Sequence, residues 1–213
     1  STQTVNGSFL LTGAYGNLIK LRSSVDNAKW YINFPNGAQT ANYVDVKDSD
    51  ALLNPVTCHG SADSLNNNAN WILSDMPVGC DWGFNVKKTG GDFTSIQAAI
   101  NEIKVVAVTL SSNACVVIRD TETYSEQVTV QGFTTNGYQL KIMADPTFVS
   151  SAPAVNPPVA STAAFQIMND SVSVQGINIV STNPVAYGIL SSSASVTISS
   201  VNDISGGKIS GAG

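Results

Sequence analysis

The chain has 213 residues, enough for one large all-β domain or two smaller ones with an ample core. Only 12% of them are charged against 43% hydrophobic, and the net charge of −5 comes from 15 acidic and 10 basic residues with no run of one sign. That distribution lacks the basic stripe that phosphate neutralisation needs, and no stretch approaches the ~18 consecutive apolar residues of a membrane helix, so neither a nucleic-acid partner nor a membrane span is expected.

Residues 1–73 form the first predicted segment. Short alternating runs at Phe9–Thr12, Leu18–Arg22, Trp30–Phe34 and Tyr43–Lys47 predict strands, separated by Gly-Asn, Pro-Asn-Gly and Asp-Ser-Asp turn signals. A polar loop over 66–70, almost all asparagine, leads into Trp71. The stretches 16–24, 30–33, 43–50 and 63–71 resemble a module that recurs in large bacterial surface proteins. There the last rungs of a parallel β-helix end in an Asn-rich stretch and a tryptophan. The resemblance implies exported, repetitive architecture rather than a reaction.

Residues 74–85, with Pro77, Gly79, Cys80, Trp82 and Gly83, read as a linker. The second segment, 86–213, opens on the one convincing helical period: Phe93, Ile96, Ala99, Ile100 and Ile103 share a face, with Thr94 or Asp92 as N-cap. A short helix near 94–103 is predicted, laid across the end of a sheet stack to cover its unpaired edges. Strands follow at Val116–Arg119, Val128–Gln131, Leu140–Met143, Phe165–Met168, Val172–Val174, Ile177–Val180 and Val196–Ile198. The stretches 91–100, 116–118 and 124–130, the last containing Tyr124-Ser-Glu-Gln-Val128, resemble the opening of right-handed β-helix proteins of the pectin methylesterase and pectate lyase kind. In that family a capping helix precedes the first rung and a Tyr-x-Glu-x-Val motif enters the second strand.

The same resemblance implies a chemistry that can be sought residue by residue. A methylesterase needs one carboxylate to attack, a protonated one to act as acid, and amide donors for the oxyanion. After Ile177–Val180 the family expects a Gln-Ala-Val-Ala-x-Arg strand and then an aspartate. This chain instead reads Pro184-Val-Ala-Tyr-Gly-Ile-Leu, with Asp203 as the next acid. A lyase needs clustered acids around calcium, for which Asp45, Asp48 and Asp50 are the candidates; turn-forming side chains explain the same pattern. No other cofactor is expected.

Three cysteines remain. Cys58 and Cys80 are open to disulfide pairing in an oxidising compartment, the alternative being three buried thiols, and Cys115 reads as a small core residue. His59 reads as a loop histidine. Arg22 and Arg119 read as solvent-facing strand residues. Trp30 and Trp82 are candidate glycan contacts, weighed against a packing role.

The expected fold is all-β, a right-handed parallel β-helix or solenoid with one capping helix. The expected function is a secreted or cell-surface structural or adhesive protein, not an enzyme in this segment. Its partners would be other copies of itself or further repeats, packed end to end or laterally, together with glycans. Ser1 enters without an initiator Met or signal peptide, and residues 204–213 read as a turn between rungs. Both suit a portion of a longer protein or a self-stacking subunit. The competing expectation is a carbohydrate-binding or pectin-active protein whose site lies on rungs after Gly213.

Overall fold

The computed structural model describes residues 2–14, 17–192, 195–207 and 209. The chain divides into two compact units, Ser1–Val78 and Gly79–Gly213. Among the described residues it is all-β with a single short helix.

In the first unit the strands are β1 (Thr2–Thr4), β2 (Leu10–Thr12), β3 (Ile19–Leu21), β4 (Trp30–Asn33) and β5 (Gln39–Asn42). They continue with β6 (Val44–Val46), β7 (Ser49–Leu52), β8 (Val56–His59), β9 (Ala62–Asp63) and β10 (Trp71–Leu73). They fall into three sheets, β1-β4-β7, β2-β5-β8-β10 and β3-β6-β9, and every pairing is parallel. From β1 to β9 the chain visits the three sheets in fixed order, so β1 to β6 each lie against the strand three elements later; β10 then returns to the second sheet beside β8. Parallel pairing demands such a crossover between partners, here made by the strands of the other two sheets. The corners are tight. The predicted strand over 43–47 is shorter than expected because Tyr43 (φ 52°) and Asp48 (φ 54°) adopt the left-handed conformation that turns the chain from sheet to sheet. Ile32, Phe34, Ala41, Val44, Val46, Ala51, Val56, Cys58 and Trp71 form the core of this unit.

The second unit begins with β11 (Trp82–Val86), so Trp82–Asn85, read as linker from the sequence, form a strand instead. Its turn-like composition has a packing reason. A Cβ on Gly83 would lie 1.9 Å from the Cys115 carbonyl oxygen, so only glycine permits this approach. Helix α1 (Ile96–Val106) follows. Its cap is Ser95, whose hydroxyl accepts from the Ala98 N–H at 3.0 Å, rather than Thr94 or Asp92. Asp92 is occupied elsewhere, accepting from the backbone N–H and side-chain amide of Asn85.

Then come β12 (Ala114–Ile118), β13 (Thr123–Tyr124), β14 (Val128–Val130), β15 (Leu140–Ala144), β16 (Ala154–Val155) and β17 (Ala163–Ile167). The described strands close with β18 (Val172–Gln175), β19 (Asn178–Ile179), β20 (Tyr187–Ser191), β21 (Val196–Ser199) and β22 (Asn202–Asp203). Again there are three parallel sheets visited in order, β11-β12-β15-β18-β21, β13-β16-β19-β22 and β14-β17-β20. Register stacks like upon like: Val116, Ile142 and Val174 are consecutive partners and all fully buried. Each such side chain contributes roughly 1.5–3 kcal/mol of hydrophobic stabilisation. Parallel sheets visited in this order are compatible with a β-helix.

Candidate functional site

The three aspartates of the calcium candidate lie on β6, at the corner after it and on β7, and each is committed to its own partner. Asp45, on β6, pairs with the Arg22 guanidinium and accepts from the Ser64 hydroxyl at 2.6 Å. Burial works to raise its pKa, but the Ser64 and Arg22 hydrogen bonds and the charges of Arg22 and Lys20 outweigh it, holding the carboxyl below its ordinary value of 3.8. Asp48 is buried at its corner, accepts from the Asn66 amide at 2.7 Å and has the Lys47 ammonium 3.6 Å away. Asp50 pairs with Lys29. Among the described residues no three His, Cys, Asp or Glu side chains gather as a metal site would require.

The arginines diverge. Arg22 is partly exposed, at the end of β3, but Arg119 is buried, against the expectation of a solvent-facing strand residue. It follows β12, donates to Asp145 at 3.0 Å and lies 4.5 Å over the Phe148 ring. His59 is also not in a loop. It sits on β8, where alternation sends Cys58 into the core and the imidazole to the opposite face, so the two cannot work as a nucleophile and base. The His59 Nδ1 finds no hydrogen-bond partner among the described residues.

The disulfide differs from the expected pairing. It joins Cys80 to Cys115, with Cα atoms 5.7 Å apart, while Cys58 is a free thiol in the first unit's core. The register explains the choice. Ala114, Val116 and Ile118 point into the second unit's core, so Cys115 faces the other side of β12, next to its partner Lys141 on β15. The Lys141 ammonium donates to the Gly79 carbonyl at 2.8 Å, drawing residues 79–80 across that outer face, where Cys80 meets Cys115. Cys115 is therefore buried as expected, but under a covalent staple rather than in the core.

Trp30 lines a cleft of about 330 Å³ with Gln3, Arg22, Ser23 and Lys29. Its indole N–H donates to the Lys47 carbonyl at 3.1 Å, and its ring lies 6.2 Å from that of Trp71. Both cations of the cleft are already paired with acids, so it is polar without a net charge. Trp82 is half-buried, edge-on to Phe84 at 6.4 Å and packed against the second unit's core. Asp203, the acid nearest the esterase position, is exposed on β22 and accepts from the Ser205 N–H at 2.9 Å.

Comparison with protein families, with curated proteins and with solved structures finds no match for this chain.

The side chains that do most at the sheet edges are amides and one glutamate, which sequence reasoning left as loop and motif residues. In the first unit Asn67 accepts from the Ser49 N–H at 3.0 Å, and Asn68 both accepts from the Ala51 N–H at 3.0 Å and donates to its carbonyl at 2.7 Å. In the second, Gln97 of α1 accepts from the Thr129 N–H and donates to its carbonyl at 3.1 Å. Glu126, the glutamate of the Tyr-x-Glu-x-Val motif, holds the helix N-terminus by accepting from the Ile96 and Gln97 N–H groups at 2.8 and 2.9 Å. The five-residue Asn-rich run was the signal for the first of these. Nothing local marked Gln97.

Proposed function

We propose that this chain is a secreted or cell-surface structural module, two stretches of right-handed parallel β-helix serving a stalk, sheath, filament or adhesive surface without catalysis of its own in this segment. The observation that carries the reading is the fixed order in which each unit revisits its three parallel sheets, stacking apolar side chains inward. Neutral Ser, Thr and Asn residues leave an outer surface with little charge to keep neighbours apart. The Cys80–Cys115 bond suits an oxidising compartment outside the cytosol. The candidate carboxylates Asp45, Asp48, Asp50 and Asp203 are each spent on local hydrogen bonds or ion pairs. Sedimentation across a concentration series tests the assembly part: a ladder of higher-mass species is expected, and a single monomer mass at every concentration would remove the filament reading.

A second reading, glycan binding, is favoured by the neutral polar cleft beside Trp30. Titration with pectin, cellulose and chitin oligosaccharides, followed by tryptophan fluorescence, separates the two. The structural reading expects no response. Saturable quenching that disappears in Trp30→Ala would move the function to carbohydrate recognition, and release of methanol or unsaturated sugar would make the protein an enzyme.

A further inference from the structure

In a parallel strand, alternate residues address opposite neighbours, so an edge strand leaves every second N–H and C=O unpaired. On β7 the pairing with β4 is served by the Asp48 and Leu52 carbonyls, which leaves Ser49 and Ala51 facing the open side. All four of their backbone groups are taken. The Ser49 N–H goes to the Asn67 side chain, the Ser49 carbonyl to the Asn68 N–H at 3.1 Å, and both Ala51 groups to the Asn68 amide, with Asn70 also donating to the Ala51 carbonyl. On β14 the Val130 carbonyl serves β17, leaving Thr129 to face outward, and Gln97 takes both of its groups. A primary amide sets an N–H donor beside a carbonyl acceptor much as a peptide group does, so Asn68 and Gln97 each reproduce one link of a missing strand, while Asn67 supplies an acceptor alone.

We propose that the Asn66–Asn70 run and Gln97 are edge plugs, which hold the strand-accepting edges of β7 and β14 closed against a second copy of this chain. Edges are ordinarily protected by charge, proline or bulges. Here β7 carries one charged residue, Asp50, already paired with Lys29, and β14, Val-Thr-Val, carries none. Hydrogen-bond saturation replaces repulsion. The occupant that the plugs exclude is another copy's extended segment, because both edges are short, free of proline and carry no unpaired charge, features of segments that self-pair. The inference rests on the β-helix reading only in taking strand addition as the mode of contact. On this proposal, association through β7 and β14 is closed.

The test pairs sedimentation velocity with residue-resolved hydrogen exchange on the full chain carrying Asn67→Ala with Asn68→Ala, and separately on Gln97→Ala. Each is expected to add high-mass species absent from the parent protein, in which the amides of Ser49 and Ala51, or of Thr129, become protected again by a second copy. Variants that keep the parent mass distribution while those amides exchange at least tenfold faster would overturn the proposal. Should the asparagine pair unfold the first unit, Gln97→Ala decides, since α1 keeps its Ser95 cap and Glu126 clamp. A parent protein that stays monomeric sinks the filament reading and leaves this comparison intact.

Discussion

Cys58 shows how much a single side chain's meaning depends on which way its strand turns it. Its thiol points into the first unit's core, and burial pushes its pKa up to about 12, only partly opposed by the backbone hydrogen bond from Ala41. A thiol of that kind is inert at neutral pH. Titration with a thiol reagent at pH 8 should find no reactive cysteine in the native protein, one in denaturant, and three after denaturation with reductant. A fast-reacting native thiol would mean that Cys58 is not buried as described. Composition shows three cysteines, but the pairing was illegible in the sequence. It depends on β12 presenting Cys115 to its outer face and on Lys141, a register partner from another turn, holding Gly79. His59 and Arg119 were misplaced for the same reason, since exposure is decided by partners distant in the chain.

Among the elements, the strands rich in Val and Ile were legible and the polar ones were not. Val128–Val130, Leu140–Met143 and Val172–Val174 carry their inward alternation in the sequence itself, and Val116–Ile118 is legible as an unbroken apolar run. By contrast β5, Gln-Thr-Ala-Asn, buries only Ala41, and β1, Thr-Gln-Thr, buries nothing; they are strands because β8 and β4 lie beside them. The helix was legible within a few residues, and its cap shifted to Ser95 because Asp92 already served Asn85. The loop after β15 is likewise set from afar. Asp145 takes the Arg119 side chain and the Thr147 N–H on its carboxylate, while its carbonyl receives the Phe148 and Val149 N–H groups. Both members of the ion pair are buried, so Asp145→Ala leaves a desolvated guanidinium and should lower stability by about 3–5 kcal/mol. Urea unfolding of the second unit checks this; a loss under ~1 kcal/mol would mean that water reaches Arg119.

At the scale of the whole molecule, the low charge makes the few acid–base contacts decide the response to pH. The folded pKa of Asp45 lies below its ordinary value of 3.8, so the contribution of its pairing is present above that value and is lost as pH falls through the folded pKa. Asp26 behaves in the same sense through its hydrogen bond and attraction to Lys47, though at the exposed surface, where such pairs are worth little. Stability of the first unit should therefore fall below about pH 4, and Asp45→Asn should flatten that fall. Parallel urea titrations of parent and variant between pH 2 and 6 read this directly. Identical slopes would mean that Arg22 and Ser64 do not stabilise the ionised carboxylate.

The ladders also separate two kinds of chain, the stacked and the connecting. Val128 meets Phe165 while Val172 meets Val196, so one lap is much longer than another, yet both close on neighbours in register. The surplus lies in the connections, outside the stacked columns, as at the exposed stretch around Val159. Length in this architecture is thus free where it touches solvent and forbidden where it touches the core. A foreign segment spliced into such a connection would leave the columns undisturbed, which makes the laps a frame on which recognition can be added without redesigning what holds the protein together.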